Sequence, residues 1–175
     1  MTFMFRFSLF VITIGFLFAS CNNNSINPED IKQSKYKEPL IRVNKQLVDK
    51  DIDRIRNFAK RRNWNLQESK TGFYYDIYEK TNNDSIKHGD VVSFNYTLSL
   101  LDGTLCYTSD SLGSKSFILG QGGVESGLEQ GIQLMKRGEK ARFILPPHLA
   151  HGLLGDDNKI PPRAIIVYQI ELLNE

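Results

Sequence analysis

Two cysteines and three histidines, with no close grouping among them, limit the chemistry this chain can carry on its own side chains. Cys21 and Cys106 stand far apart, and His88, His148 and His151 lack zinc-ligand spacing, so no metal and no cofactor are expected. No Ser-His-Asp arrangement offers covalent catalysis. Cys106, alone in a strand-like stretch, reads as a small buried hydrophobe. What remains is non-covalent chemistry, a pocket that grips a ligand by aromatic contact and a few polar groups.

The clearest local design lies over residues 117–138. A short apolar strand, 117–119, breaks at Gly120, and Gly122 and Gly123 permit a sharp turn. Ser126 with Glu129 reads as a Ser-x-x-Glu capping box opening a helix. Leu128, Gly131, Ile132 and Met135 then mark one helical face, with Lys136, Arg137 and Gly138 as its stop signals. Further on, residues 148–162 form a long irregular loop, of a length that is more often functional than accidental.

Several strands must position this unit. The aromatic run 72–79 reads as a first strand. Val92, Phe94, Tyr96, Leu98 and Leu100 alternate with polar residues, the pattern of a half-buried strand, and Asp102-Gly103 is expected to turn it back as a type I′ hairpin into 104–108. Residues 109–116 read as a loop, 140–145 as a strand stopped by Pro146-Pro147, and 164–173 as the final strand. The fold class is α+β: an antiparallel, half-open barrel-like sheet wrapped on one short helix. Ahead of it, residues 40–62 show an amphipathic helical pattern in which Leu40, Ile41, Val48, Ile52, Ile55, Phe58 and Ala59 share a side. That stripe is expected to pack on its own domain, with a dimerisation or partner-binding arm as the sharper alternative.

The N-terminus has the marks of a targeting segment. Arg6 precedes an apolar run over 7–18, too short for a lasting membrane span. The segment ends Phe18-Ala19-Ser20-Cys21, which resembles a bacterial lipoprotein signal in which Cys21 carries lipid; Phe18 departs from the usual leucine. Four regions follow: a signal over 1–20, a polar tether over 21–38, a helical segment over 39–70 and the main domain over 71–175. The location implied is the cell envelope, lipid-anchored and facing the periplasm. The 175 residues are 41% hydrophobic and 24% charged with a net charge of +2, which suits one domain with appendages and demands no nucleic acid.

The order of these motifs resembles the FKBP family of peptidyl-prolyl cis–trans isomerases over about 72–173. The resemblance rests on Tyr96 before Asp102-Gly103, the glycine loop and short helix, Leu145-Pro146-Pro147, Ala150-His151-Gly152, and Ile160-Pro161-Pro162-Arg163-Ala164 leading into the last strand. It implies an isomerase acting on proline-containing polypeptides, with an apolar pocket between sheet and helix. Such a catalyst needs neither nucleophile nor metal: X–Pro rotation is slow because of amide resonance, and a dry pocket favouring the twisted amide suffices.

Carried over position by position, the resemblance implies catalytic roles for Tyr96, His151 and Tyr168. It implies substrate contacts for Cys106, Tyr107, Val124, Glu125, Leu128 and Ile160. Tyr96 and Tyr168 match aromatic positions, while Val124 and Ile160 match apolar ones. Glu125 falls where the family usually has an isoleucine whose backbone N–H binds the ligand carbonyl. Leu128 replaces a pocket-floor tryptophan, Cys106 a phenylalanine, Tyr107 an aspartate, Lys115 an aromatic, and His151 a tyrosine whose hydroxyl donates to the ligand; Asp156 stands where histidine is common. A membrane-tethered chaperone or binding module without catalysis is the alternative. With its signal segment and the loop over 155–160, the chain resembles more narrowly the GldI group of gliding-motility-associated isomerases, which implies an envelope machinery partner.

Overall fold

The computed structural model describes residues 28–174, with side chains from residue 37 onward. The expected signal over 1–20 and the lipid-bearing Cys21 lie outside the described residues. The chain divides into two compact units, residues 1–45 and 46–175.

The first element, α1 (Pro28–Arg61), crosses that division. It begins inside the stretch expected as a tether rather than at Leu40. Proline at the first helical position lacks only an N–H that would have no intrahelical partner there, and Glu29 and Asp30 follow, residue types favoured at a helix N-terminus. Pro39 is carried inside the helix. In the first unit Leu40 and Ile41 are exposed, and in the second Val48 is exposed while Ile55, Phe58 and Ala59 are buried. Within the second unit, Ile55, Phe58 and Ala59 are the stripe residues that pack on the domain.

The domain's sheet runs through β1 (Gln67–Glu68), β2 (Tyr74–Glu79), β3 (Val91–Leu100), β4 (Leu105–Thr108), β5 (Lys115–Ile118), β6 (Lys140–Leu145) and β7 (Ile166–Leu172), in the spatial order β1-β2-β6-β7-β3-β4 with β5 also on β3. Every pairing is antiparallel, and the longest ladder joins β3 to β7 from Phe94↔Leu172 to Leu100↔Ile166. Between β4 and β5 the expected loop contains a single turn, α2 (Ser109–Leu112), capped by the Thr108 side chain, which accepts from the Asp110 N–H. The short helix on the concave face is α3 (Ser126–Ile132).

Strand alternation sorts side chains onto two faces. Ala141, Phe143 and Leu145 of β6 and Ile166, Tyr168, Ile170 and Leu172 of β7 join Phe94, Tyr96, Leu128 and Ile132 in the main core. Ile144 and Val167, from the same strands, point the other way and meet Ile55, Phe58 and Tyr74. The helix α3 comes close to β6 because Gly131 has no side chain: a Cβ there would lie 2.6 Å from a Phe143 ring carbon.

Two local expectations are corrected. The hairpin after β3 is not a type I′ turn, since of its residues only Gly103 has positive φ. Gly103 N–H donates to Leu100 O at 3.0 Å, and Thr104 N–H to Asp102 Oδ1 at 2.9 Å, a three-residue loop that suits an aspartate acting through its side chain. The capping box at α3 does not form either. Glu125 is the N-cap, without a side-chain cap bond, and the Glu129 carboxylate accepts instead from Gly120 N–H at 2.6 Å. That bond pins the glycine loop to the helix, and Glu125 keeps its carboxylate for other partners.

Candidate functional site

Five of the expected site residues, Tyr96, Cys106, Leu128, Ile160 and Tyr168, belong to one buried cluster, with Val124 and Tyr107 packed against it. Tyr96 comes from the centre of β3 and Tyr168 from β7; their ring centroids are 6.1 Å apart and tilted by 56°. Phe94 extends the aromatic wall toward Phe117, whose ring it meets edge-on at 6.2 Å. Leu128 of α3 lies fully buried among them. The leucine thus gives a smaller, aliphatic surface where the resemblance implies an indole.

Glu125 and His151 join this cluster through hydrogen bonds. Tyr168 Oη donates to Glu125 Oε1 at 2.9 Å, and His151 Nε2 lies 2.9 Å from the same oxygen. His151 is therefore not held with Nε2 aimed at an incoming carbonyl, as a simple replacement of a tyrosine hydroxyl implies. It braces the carboxylate. The second oxygen, Glu125 Oε2, is buried without a hydrogen-bond partner. Burial foremost, then the neighbouring carboxylate, push the Tyr168 phenol far above its ordinary range, and the same two causes raise Tyr96. Both phenols are neutral at physiological pH.

The loop over 155–160 is fastened by a residue outside the expected set, Asp156. Its Oδ1 accepts from the N–H of Ile160 at 2.7 Å and of Asn158 at 3.0 Å, and its Oδ2 accepts from Tyr107 Oη. Burial, the largest single influence, works to raise the Asp156 carboxyl, but these donors together hold it below the usual carboxylate value. Cys106 Sγ adds a weak bond to Lys159 O at 3.6 Å, and burial raises its thiol, so it fills space and is not a nucleophile. The signal for Asp156 was the Gly-Asp-Asp-Asn run, whose aspartate accepts from the following backbone as turn aspartates do. Two ammonium groups flank the wall, Lys115 Nζ at 5.2 Å from the Tyr96 ring centroid and Lys159 Nζ at 5.2 Å from that of Tyr107.

Among the described residues no group of histidine, cysteine and carboxylate side chains forms a metal site. The arrangement can do one thing well. It gathers buried aromatic and aliphatic side chains with a few fixed polar groups at their edge, surroundings suited to an apolar ring next to a carbonyl.

Comparison with known proteins agrees with that geometry. Residues 82–173 match the model of the FKBP-type peptidyl-prolyl cis-trans isomerase family. The chain is 43% identical over 88 residues to human peptidyl-prolyl cis-trans isomerase FKBP9, covering 50% of this chain and 15% of that protein. It is 42% identical over 89 residues to FK506-binding protein 2 of Yarrowia lipolytica, covering 50% of this chain and 62% of that protein. The chain thus spans a small part of the longer relatives. Among solved structures, FkpA from Escherichia coli aligns with 95% of this chain and 80% of its own at a TM-score of 0.59 and 26% identity. The fold of AtFKBP13 aligns with 63% of this chain and 98% of its own at a TM-score of 0.59. With the matched segment running from just before β3 through the last strand and including Tyr96, Leu128, Ile160 and Tyr168, the chain belongs to the FKBP-type peptidyl-prolyl cis–trans isomerase family.

Proposed function

We propose that this chain catalyses cis–trans isomerisation of X–Pro bonds in exported or envelope polypeptides. The observation that carries the reading is the convergence of Tyr96, Leu128, Ile160 and Tyr168 in one dry cluster bordered by the α3 N-terminus. The proline ring enters that cluster. The Glu125 backbone N–H, at the N-cap of α3, faces the carbonyl before the proline. The barrier of about 18–20 kcal/mol comes from amide resonance, which the twisted state lacks. A pocket with few water contacts and donors fixed at the carbonyl favours that state over the planar one. The test is acceleration of cis–trans exchange in a prolyl tetrapeptide by the chain from Asn22 onward. The expected rate rises in proportion to protein concentration; a rate equal to the uncatalysed one overturns the reading.

The finer setting is also a proposal. The sequence ending in Cys21 supports a lipid anchor in the envelope, and the resemblance to the gliding-motility-associated group supports service to gliding or secretion machinery. Metabolic labelling with a fatty acid should mark the wild-type chain and not Cys21→Ala; equal labelling would remove the anchor. The exposed Leu40, Ile41 and Val48 support α1 as an arm that meets a second copy of this chain. Sedimentation should then show a dimer that Ile41→Glu weakens.

A further inference from the structure

We propose that Glu125 makes the site selective for polypeptides with a cationic side chain, lysine or arginine, immediately before the proline. The inference rests on the concavity being the prolyl site. Its own basis is the state of one carboxylate. The Glu125 side chain is only 10% exposed, and its Oε1 already serves both Tyr168 and His151. Its Oε2 is buried with no hydrogen-bond partner. Buried polar atoms in folded proteins are nearly always paired, because an unpaired one costs about 1–3 kcal/mol and more when charged. A carboxylate oxygen only accepts and none of the described residues donates to this one, so a ligand that brings a donor would complete Glu125.

Chemistry narrows the donor to a cation. Tyr168 is a neutral phenol that stabilises the carboxylate without cancelling its charge, and His151 reaches Oε1 alone, so Oε2 stays unmet. A full positive charge balances a carboxylate in a low-dielectric setting far better than a water or an amide N–H, and charge-assisted bonds are roughly twice as strong as neutral ones. Position narrows it further. Val124, the preceding residue, packs on the aromatic cluster, so Glu125 borders the ring pocket and reaches the residue next to the proline. A lysine or arginine stem can lie along the apolar wall and deliver its head group to the carboxylate. Lys115, with its ammonium 5.2 Å from the Tyr96 ring centroid, shows that a cation is accommodated against that wall.

The experiment uses the full chain and three peptides, Ala-Lys-Pro-Phe, Ala-Leu-Pro-Phe and Ala-Glu-Pro-Phe, with binding read by calorimetry and turnover by NMR exchange. The lysine peptide should bind about fivefold to tenfold more tightly than the leucine peptide, and the glutamate peptide most weakly. Glu125→Gln should bring the lysine-to-leucine ratio close to unity, whatever its absolute affinity. Should that variant fail to fold by circular dichroism, the wild-type ratio at about 0.5 M salt decides. A buried pair is screened little, so the preference persists, whereas its disappearance would assign it to surface attraction and overturn the proposal. Equal wild-type binding of the lysine and leucine peptides, or a preference kept by Glu125→Gln, overturns it as well. Turnover without peptide preference removes only this inference, and lysine preference in binding without turnover removes only the catalytic reading.

Discussion

The two faces of the sheet bury side chains by different rules. Behind β6 and β7, Ile55 and Phe58 of α1 meet Tyr74, Ile144, Ile165 and Val167, and the carboxylate buried near them, Asp51, is paired. There Arg163 pairs with the Asp51 carboxylate at 2.9 Å, and Arg62 lies 3.7 Å over the Phe58 ring. On the concave face a carboxylate is drawn into the wall itself, between a phenol and an imidazole, with one oxygen left unpartnered. The rear face is an apolar packing surface whose own unmet polar atom, Tyr74 Oη, belongs to a neutral phenol. On the concave face the unmet atom belongs to a carboxylate, which lowers stability more than a phenol does unless a ligand completes it. Strain of that kind collects where a protein binds.

The largest effect should come from breaking the rear face. Phe58→Ala removes a buried ring that also supports Trp64 edge-on at 5.4 Å, and unfolding in denaturant should show a loss of about 3–5 kcal/mol. Its kcat/KM per folded molecule should stay within about twofold, since the ring is on the far side of the sheet from the site.

Tyr168→Phe probes the concave face at similar burial. It removes one of the two donors on Glu125 Oε1 and should cost about 1–3 kcal/mol in the same denaturation experiment. Unlike Phe58→Ala it should also change peptide binding, because the carboxylate it releases borders the pocket.

His151→Ala should reduce kcat/KM by a few-fold to tenfold, up to about 1.4 kcal/mol of transition-state binding, with little change in stability. His151 braces Glu125 rather than filling core, so the two readouts separate. An unchanged kcat/KM would make it a surface residue.

The smallest effect belongs to the loop fastening. The Asp156 carboxyl is held below its ordinary 3.8, so the stabilisation it brings is complete above that value and fades as pH falls through the lowered folded one. Tyr107 is shifted the other way, above 10.0, chiefly by its bond to Asp156, so its contribution is present below pH 10 and is lost as pH climbs through the raised value. The difference in thermal midpoint between wild type and Tyr107→Phe should therefore be a plateau near neutrality that shrinks at both extremes. A difference independent of pH would mean the hydroxyl does not fasten the loop.

Much of this contrast was legible in the sequence, for reasons that differ by element. The alternation from Val92 to Leu100 fixes which side chains of β3 face the core, and Phe94, Tyr96 and Leu98 are all buried as the pattern implies. Spacing and family resemblance brought Tyr96, Cys106, Leu128, Ile160 and Tyr168 together. The bonds that join Glu125 to His151 and to Tyr168 span 26 and 43 positions, and no local pattern announces a contact between such distant residues. The capping box failed for a related reason: Ser126 and Glu129 have the right spacing, but the Gly120 N–H claims the Glu129 carboxylate. The start of α1 at Pro28 was missed because a polar composition reads as tether, whereas polar residues also suit a helix.

One measurement tests directly whether the concave face is the working one. A prolyl peptide titrated into isotope-labelled protein should shift the NMR signals of Val124–Leu128, His151 and Ile160, and leave those of Ile55, Phe58 and Trp64 unmoved. The rear surface offers a competing recess of about 360 Å³ lined by Ile55, Ala59, Trp64, Leu66 and Tyr74. Shifts confined to those residues, with Tyr96 and Leu128 silent, would contradict the account.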